Sequence, residues 1–354
     1  MVKMKKLQYT LLAAVAALVL TSCEKVSPIG VLVSGTGVED RVKMSNIYFK
    51  QHKSEYKDLI VDLNADEYTF LVGADSHVTD DAGRMDEMFS IGIEGRDLLY
   101  AHLGDIADTK AEYYINLDNS ILRAKEKYAE KNYEKSTFTD DDGYEYTFYT
   151  DTLHEKIYLN SDIEDIPLPF YPVVGNHDIT HNGWALWSSL FHSSFYDVYV
   201  LANIDEKEDI YYDHFIFLDS ASGTLGKEQV DLIEQGYVDD KYEEEFGIHT
   251  RHTFVFSHTN IFRPRSVEFA STFPREEMFF LLDKFAEWNA SIVFLGHVHK
   301  WDYQKVNGVE YLTLDSMSSD NNPDPGDYLI RVHVKKDGTI KWEPVHMSYT
   351  AKKK

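Results

Sequence analysis

The sequence predicts a layered α/β fold with buried strands at its centre, on three observations. Short runs of aromatic and aliphatic residues alternate with stretches of helical periodicity. Most of those runs stop at a polar group of Asp, His or Asn residues. Beyond residue 300 the pattern changes to closely spaced short strands, with Asn307-Gly308 and Asp337-Gly338 as turn signals. Alternating strands and helices bury a sheet between helical layers. In such sheets ligands collect beyond the carboxyl ends of the strands, and the polar groups stand at those ends.

In chain order, residues 1–22 carry the marks of an export signal: Lys3, Lys5 and Lys6, then an apolar run at 11–20, then small or polar Thr21 and Ser22. The run is too short for a comfortable membrane span. Leu20-Thr21-Ser22-Cys23 resembles the bacterial lipobox, which implies lipid attachment at Cys23 and anchoring in the cell envelope by acyl chains. Residues 23–66 are expected to form a tether and lead-in segment, with a weak helical pattern at 38–57. Strands are expected at 68–73, 98–103, 170–174, 213–218, 253–256 and 291–295, and helices at 111–131, 227–235 and 275–288. An acidic, Tyr-rich stretch at about 137–165 is too long for a connection and reads as an insertion. Short strands then follow at 302–305, 309–314, 328–334 and 339–345, so that 67–350 forms one domain.

The 354 residues carry a formal charge of -25, and removing the export signal makes it three units more negative. No positive stripe is present to displace counterions from a polyanion, so no stable nucleic-acid partner is expected. A small phosphorylated substrate remains compatible, because bound metal ions reverse the local field. Cys23 is the single cysteine, so the exported chain has no intramolecular disulfide and must hold together through its core.

Five motifs carry the chemistry: Asp75-Ser76-His77, Gly104-Asp105-Ile106-Ala107-Asp108, Gly175-Asn176-His177-Asp178, His258, and Gly296-His297-Val298-His299. Carboxylate oxygen mixed with imidazole nitrogen suits hard or borderline metal ions. Two ions about 3.5–4 Å apart need a ligand that touches both, which a carboxylate can do and an imidazole cannot. Asp105, at the tip of the second strand, is the natural bridge. Asp75 and His77, two residues apart in an extended turn, reach one ion together.

The order D-x-H, G-D-x-x-D, G-N-H-D, H and G-H-x-H across 68–311 resembles the calcineurin-like metallophosphoesterase superfamily. The resemblance implies a four-layer α/β/β/α sandwich with mixed central sheets and a β-rich C-terminal part. It also implies two divalent or trivalent ions, manganese, iron or zinc, held by Asp75, His77, Asp105 and His299 on one side and Asp105, Asn176, His258 and His297 on the other. By the same resemblance His177 faces the substrate as the acid, Asp178 orients its imidazole, and a metal-bridging hydroxide attacks phosphate mono- or diesters. Asp108 stands where purple acid phosphatases have a ligating tyrosine, and Thr109-Lys110 replaces the Arg-Gly of serine/threonine phosphatases, which sets both groups aside. His181, Arg263 and Arg265 are the positions expected to line a substrate pocket. His102, inside an apolar run, is expected to be a core residue, and Asp219 and Ser220 to end a strand structurally. The competing functions are a catalytically silent envelope lipoprotein that binds with the same fold, and a metal-dependent nuclease.

Overall fold

Period-two alternation in the strands decides the layering. In a computed structural model, which describes residues 37–52, 59–61, 65–152, 155–204, 209–236, 248–263, 272–317 and 329–348, the chain begins with α1 (Val38–His52), β1 (Leu59–Ile60), β2 (Glu67–Gly73), α2 (Gly83–Gly95), β3 (Tyr100–His102) and α3 (Ala111–Asn132). It continues with β4 (Glu134–Thr139), β5 (Glu145–Asp151), β6 (Lys156–Leu159), β7 (Phe170–Pro172), α4 (Asn176–Ile179), α5 (Gly183–Phe191), β8 (Tyr196–Ile204) and β9 (Ile210–Leu218). The last part holds α6 (Gly226–Glu234), β10 (Ile248–Ser257), α7 (Arg275–Glu287), β11 (Ala290–Leu295), β12 (Asp302–Val306), β13 (Val309–Thr313), β14 (Leu329–Lys335) and β15 (Ile340–Val345). The expected export signal, Cys23 and Arg265 lie outside the described residues.

Two mixed sheets result. One runs β1-β8-β9-β10-β11-β13-β12 and the other β15-β14-β2-β3-β7. Strands β9, β10, β11 and β13 are mutually parallel, as are β2, β3 and β7. Phe254 and Phe256 of β10 face inward with Phe70, Phe215, Phe217 and Phe294, forming the core between the sheets. Val255, between them, faces outward against Leu281 and Phe285 of α7. On the other sheet Leu71 and Tyr100 face outward against Met88 and Phe89 of α2 and Leu117 of α3. Helices therefore cover both outer faces, giving the α/β/β/α sandwich. Phe70 is the hub, with its ring 5.1 Å from Phe215, 5.0 Å from Phe254 and 6.0 Å from Phe294, all edge-on. Each such side chain contributes about 1.5–3 kcal/mol through burial.

The lead-in segment is built into this core. Val38 and Val42 of α1 pack with Leu225, just before α6, and Ile233 of α6, and Leu59 of β1 packs on the inter-sheet core. Arg41 is fully buried and donates two hydrogen bonds to Asp219, at 2.9 and 2.8 Å. Asp219 also takes part with Gln229, which accepts from its backbone N–H at 3.0 Å. Asp219 thus has the structural role expected, with Arg41 as a partner that composition did not suggest.

The insertion is a three-stranded antiparallel meander, β4-β5-β6, closed on α3 by Tyr149, Tyr158, Ile166 and Ala129. A helix of 22 residues such as α3 spans about 33 Å. It begins three residues after Asp108 and ends at the meander. The meander therefore sits at the far end of the sandwich from the motifs and does not rim them. Among the described residues no helix is long and apolar enough to cross a membrane.

Candidate metal centre

The parallel strands deliver the five motifs to one place. β2, β3 and β7 end just before Asp75, Asp105 and Asn176, while β10 and β11 end just before His258 and His297. Immediately past these ends the backbone turns sharply. Asp75, His77, Asp105, His297 and His299 have φ values of 52°, 44°, 51°, 73° and 50°. Left-handed conformations at non-glycine residues cost about 1–3 kcal/mol each and gather at functional sites. Gly104, at φ 86°, lets two of the loops meet, and a Cβ at Gly175 would collide with the backbone and carboxylate of Asp105. The glycines of G-D and G-N are thus spacing devices for the acid.

Two groups of donor atoms share Asp105. Atoms of Asp75, His77, Asp105 and His299 lie within 4.8 Å of one another, and so do atoms of Asp105, His258 and His297. In the first, His299 Nε2 is 3.4 Å from Asp75 Oδ1, and His77 Nε2 faces His299 Nε2 at 3.3 Å. In the second, His258 Nε2 is 3.5 Å from Asp105 Oδ2 and 2.8 Å from Asn176 Oδ1. His258 Nδ1 donates to the Leu103 carbonyl at 2.8 Å, which aims Nε2 into the site. Each anion is held from behind: the His177 backbone N–H donates to Asp105 at 2.6 Å, and the His297 N–H to Asp75 at 3.0 Å.

The electrostatics keep the carboxylates ionised. Burial works to raise the Asp105 carboxyl, but the imidazoles of His258, His177 and His77 outweigh it and hold it well below the usual range. The same opposition lowers Asp75, through His299 and His258. Burial pushes the His297 imidazole down to about 3, and its Nδ1 has no hydrogen-bond partner while Nε2 receives the Arg263 guanidinium. Ionised carboxylates, the Asn176 amide oxygen and the orphaned His297 nitrogen are donors that fit metal ions, while Asp75 and Asp105 raise the His299 imidazole against its burial.

One expected role changes hands. Asp178 was expected to orient His177, yet it is fully buried and accepts from the backbone of Gly175 at 2.8 Å, Ile106 at 3.1 Å and Ala107 at 3.3 Å, and from the Tyr114 hydroxyl at 3.1 Å. It caps α4 and ties the G-N-H-D loop to the G-D loop. Asp108 is the carboxylate at the His177 ring, 3.5 Å from Nδ1, and it also lies 3.3 Å from His77 Nδ1. Burial alone would lower the His177 imidazole, but the charges of Asp105 and Asp108 push it up to about 9.

The remaining positions sort plainly. His177 is partly exposed, with its ring edge-on to His77 at 4.7 Å. His181 is exposed at φ 49° and makes no described hydrogen bond to the cluster. Arg263 reaches the cluster through His297. His102 is core, with Nδ1 accepting from the Gly104 N–H at 3.2 Å and Nε2 without a partner. Asp108, Thr109 and Tyr114 are the contributors that motif reading did not assign to the site. Thr109 donates to the His177 carbonyl at 2.6 Å. The second acid of G-D-x-x-D was the available signal.

No protein-family model matches the sequence, and no curated protein does. Solved structures do resemble it. GAP50, the anchor in the inner membrane complex of Plasmodium, is 11% identical with a TM-score of 0.45, over 81% of this chain and 91% of that one. A dimetal phosphatase from Danio rerio is 12% identical with a TM-score of 0.40, over 75% and 92%. The purple acid phosphatase PPD1 from yellow lupin is 10% identical with a TM-score of 0.45, over 79% and 54%. A putative 5'-nucleotidase from Staphylococcus aureus and a phosphoesterase from E. coli are also among the structures it resembles, each 11% identical with TM-scores of 0.40 and 0.30.

Proposed function

We propose that this protein hydrolyses small phosphoric esters with the help of two bound metal ions. The observation that carries the proposal is the Asp105 carboxylate, common to two groups of converging donor atoms. Asp75, His77, Asp105 and His299 would hold one ion, and Asp105, Asn176, His258 and His297 the other. Such a pair acidifies a water molecule and neutralises charge on a phosphoryl group.

The protein's own groups do the rest. The backbone N–H groups of His177 and His297 fix the two anionic carboxylates before any ligand arrives. Asp108 faces Nδ1 of His177, which leaves Nε2 as the nitrogen a substrate can reach. As an imidazolium, His177 donates to a phosphoryl oxygen or passes its proton to the leaving oxygen. The net charge of -25 favours small esters over long polyanions.

The test is elemental analysis of protein purified without chelator, then assay of aryl phosphate mono- and diesters with manganese, iron or zinc. Hydrolysis of at least one ester is expected, with Asp105→Ala inactive. Hydrolysis of neither ester with any of the three metals, or parental activity in Asp105→Ala, would overturn the proposal. The same proposal anchors the protein in the cell envelope through a lipid on Cys23. Cys23→Ser should then move the protein out of the membrane fraction, and an unchanged fractionation would count against the anchor.

A further inference from the structure

A second site lies on the open flank of the sandwich, where the edge strands of the two sheets meet. β12 closes the seven-stranded sheet and β15 the five-stranded one. Three large rings bridge the gap between them. Trp342 on β15 lies 5.5 Å from Trp301 and 6.2 Å from Tyr303, inclined by 53° and 38°. Beside them is a cavity of about 480 Å³ lined by Trp342, Tyr303, Glu310, Lys341 and Ser291 together with Ile292 and Ile340. That volume is within the usual range for small-molecule sites. Ser291 and Glu310 stand at the starts of β11 and β13, whereas His297 follows the end of β11. The Ser291 end of the cavity is therefore about 20 Å from the candidate metal centre, one length of β11 away, while Tyr303 stands four residues beyond His299.

A plug that merely seals the core edge would bury its rings. Here Trp301 is 38% and Tyr303 44% exposed, so apolar faces are presented to water next to a cavity. The cavity walls mix apolar and polar groups. Glu310 pairs with Lys305 at 3.2 Å, Ser291 shares a hydrogen bond of 3.2 Å with His252, and Lys341 adds a cation. A wholly apolar ligand would strip water from Glu310 and Lys341 without replacing it, which is costly. A phosphate or other anion would meet Glu310. The rings touch one another, leaving no cage between them for a quaternary ammonium group.

A pyranose ring satisfies both demands, because it offers a face of C–H bonds to an aromatic plane and a rim of hydroxyls to carboxylate, ammonium and serine. From this arrangement we infer that the flank cavity is a saccharide-binding site, with Tyr303 and Trp342 as the stacking platform and Glu310, Lys341 and Ser291 as the hydroxyl partners. Binding there requires no contribution from the metal centre.

Titration of the full chain with maltose, cellobiose and N,N'-diacetylchitobiose, read by tryptophan fluorescence and calorimetry, tests this. At least one disaccharide should bind saturably in the millimolar range or tighter. Tyr303→Ala should weaken it about tenfold or more, as loss of an aromatic anchor does, with metal content and aryl phosphate hydrolysis unchanged. Trp342 also packs on the core, so Tyr303→Ala on the edge strand and Glu310→Gln at the partly exposed start of β13 keep the test decisive if Trp342→Ala fails to fold. Absence of saturable binding for all three sugars, or equal binding by Tyr303→Ala, would overturn the inference. Saturable binding of adenosine at the same rings with no sugar binding would overturn it too.

Discussion

His177 owes its positive charge to its neighbours. Its imidazole is raised to about 9 against its own burial, chiefly by Asp105 and Asp108. A raised imidazole is protonated below its pKa and loses the proton as pH rises through it. Activity that needs the imidazolium should therefore fall on the alkaline side. Bound cations would oppose the raising charges, so the descending limb of kcat/KM is expected at or below pH 9. His177→Gln should lower kcat/KM by about 10²–10⁴ and abolish that limb, while metal content is retained. Asp108→Asn removes one raising charge without changing shape, so the limb should move to lower pH by about one unit or more. A limb that stays in place in Asp108→Asn would show that Asp108 does not set the acid. The converging Asp and His residues were legible in the sequence because their types and strand-end positions are local properties. The choice between Asp108 and Asp178 was not. Asp178 adjoins His177 in the chain, but an acid three residues past the start of a helix turns back to cap it. The contact with Asp108 exists only once two strands lie side by side.

At the scale of elements, the strands and helices expected from periodicity form, but β8 and α2 were not among them, and α1 shows where periodicity fails. Its helical pattern is weak because one of its deepest residues is Arg41, which reads as a surface residue until Asp219, 178 positions away, is placed against it. Similarly, β4, β5 and β6 were hidden in an acidic stretch because only their inner face, Tyr149 and Tyr158, is buried. The Arg41 pair makes a direct prediction. Removing one member of a buried ion pair strands the other charge and costs about 3–5 kcal/mol. Arg41→Ala should therefore lower the stability to urea by about that amount, with the midpoint shifted and the slope retained. The double variant Arg41→Met, Asp219→Leu should recover most of the loss, since neither charge remains buried. Equal loss in the single and double variants would mean that α1 is held by packing and not by the pair.

For the whole molecule, the metal centre is also a joint. Asp75, Asp105 and Asn176 follow strands of the five-stranded sheet, and His258, His297 and His299 follow strands of the seven-stranded sheet. The aromatic core joins the same two sheets along their inner faces, and at the carboxyl ends lone pairs, and not apolar side chains, meet across the gap. The carboxylates of Asp75 and Asp105 repel each other in the absence of a cation, and Asp75, His77, Asp105, His297 and His299 carry left-handed backbone strain as well. Cations bound there would therefore stabilise the fold and not only the reaction. Ligand binding to the native state alone adds about 2.7 kcal/mol when the free ion is at 100 times its Kd. For a chain of this size that is a rise in melting temperature of several degrees. Scanning calorimetry after chelation, then with manganese or zinc added back, should show a melting temperature that climbs with ion concentration. Asp105→Asn should lose most of the climb, because one substitution weakens both groups, whereas His299→Ala should keep part of it. A melting temperature indifferent to the ions in the parent, with full binding measured independently, would mean that the strained loops are already held in place by Asp178 and the backbone bonds around it.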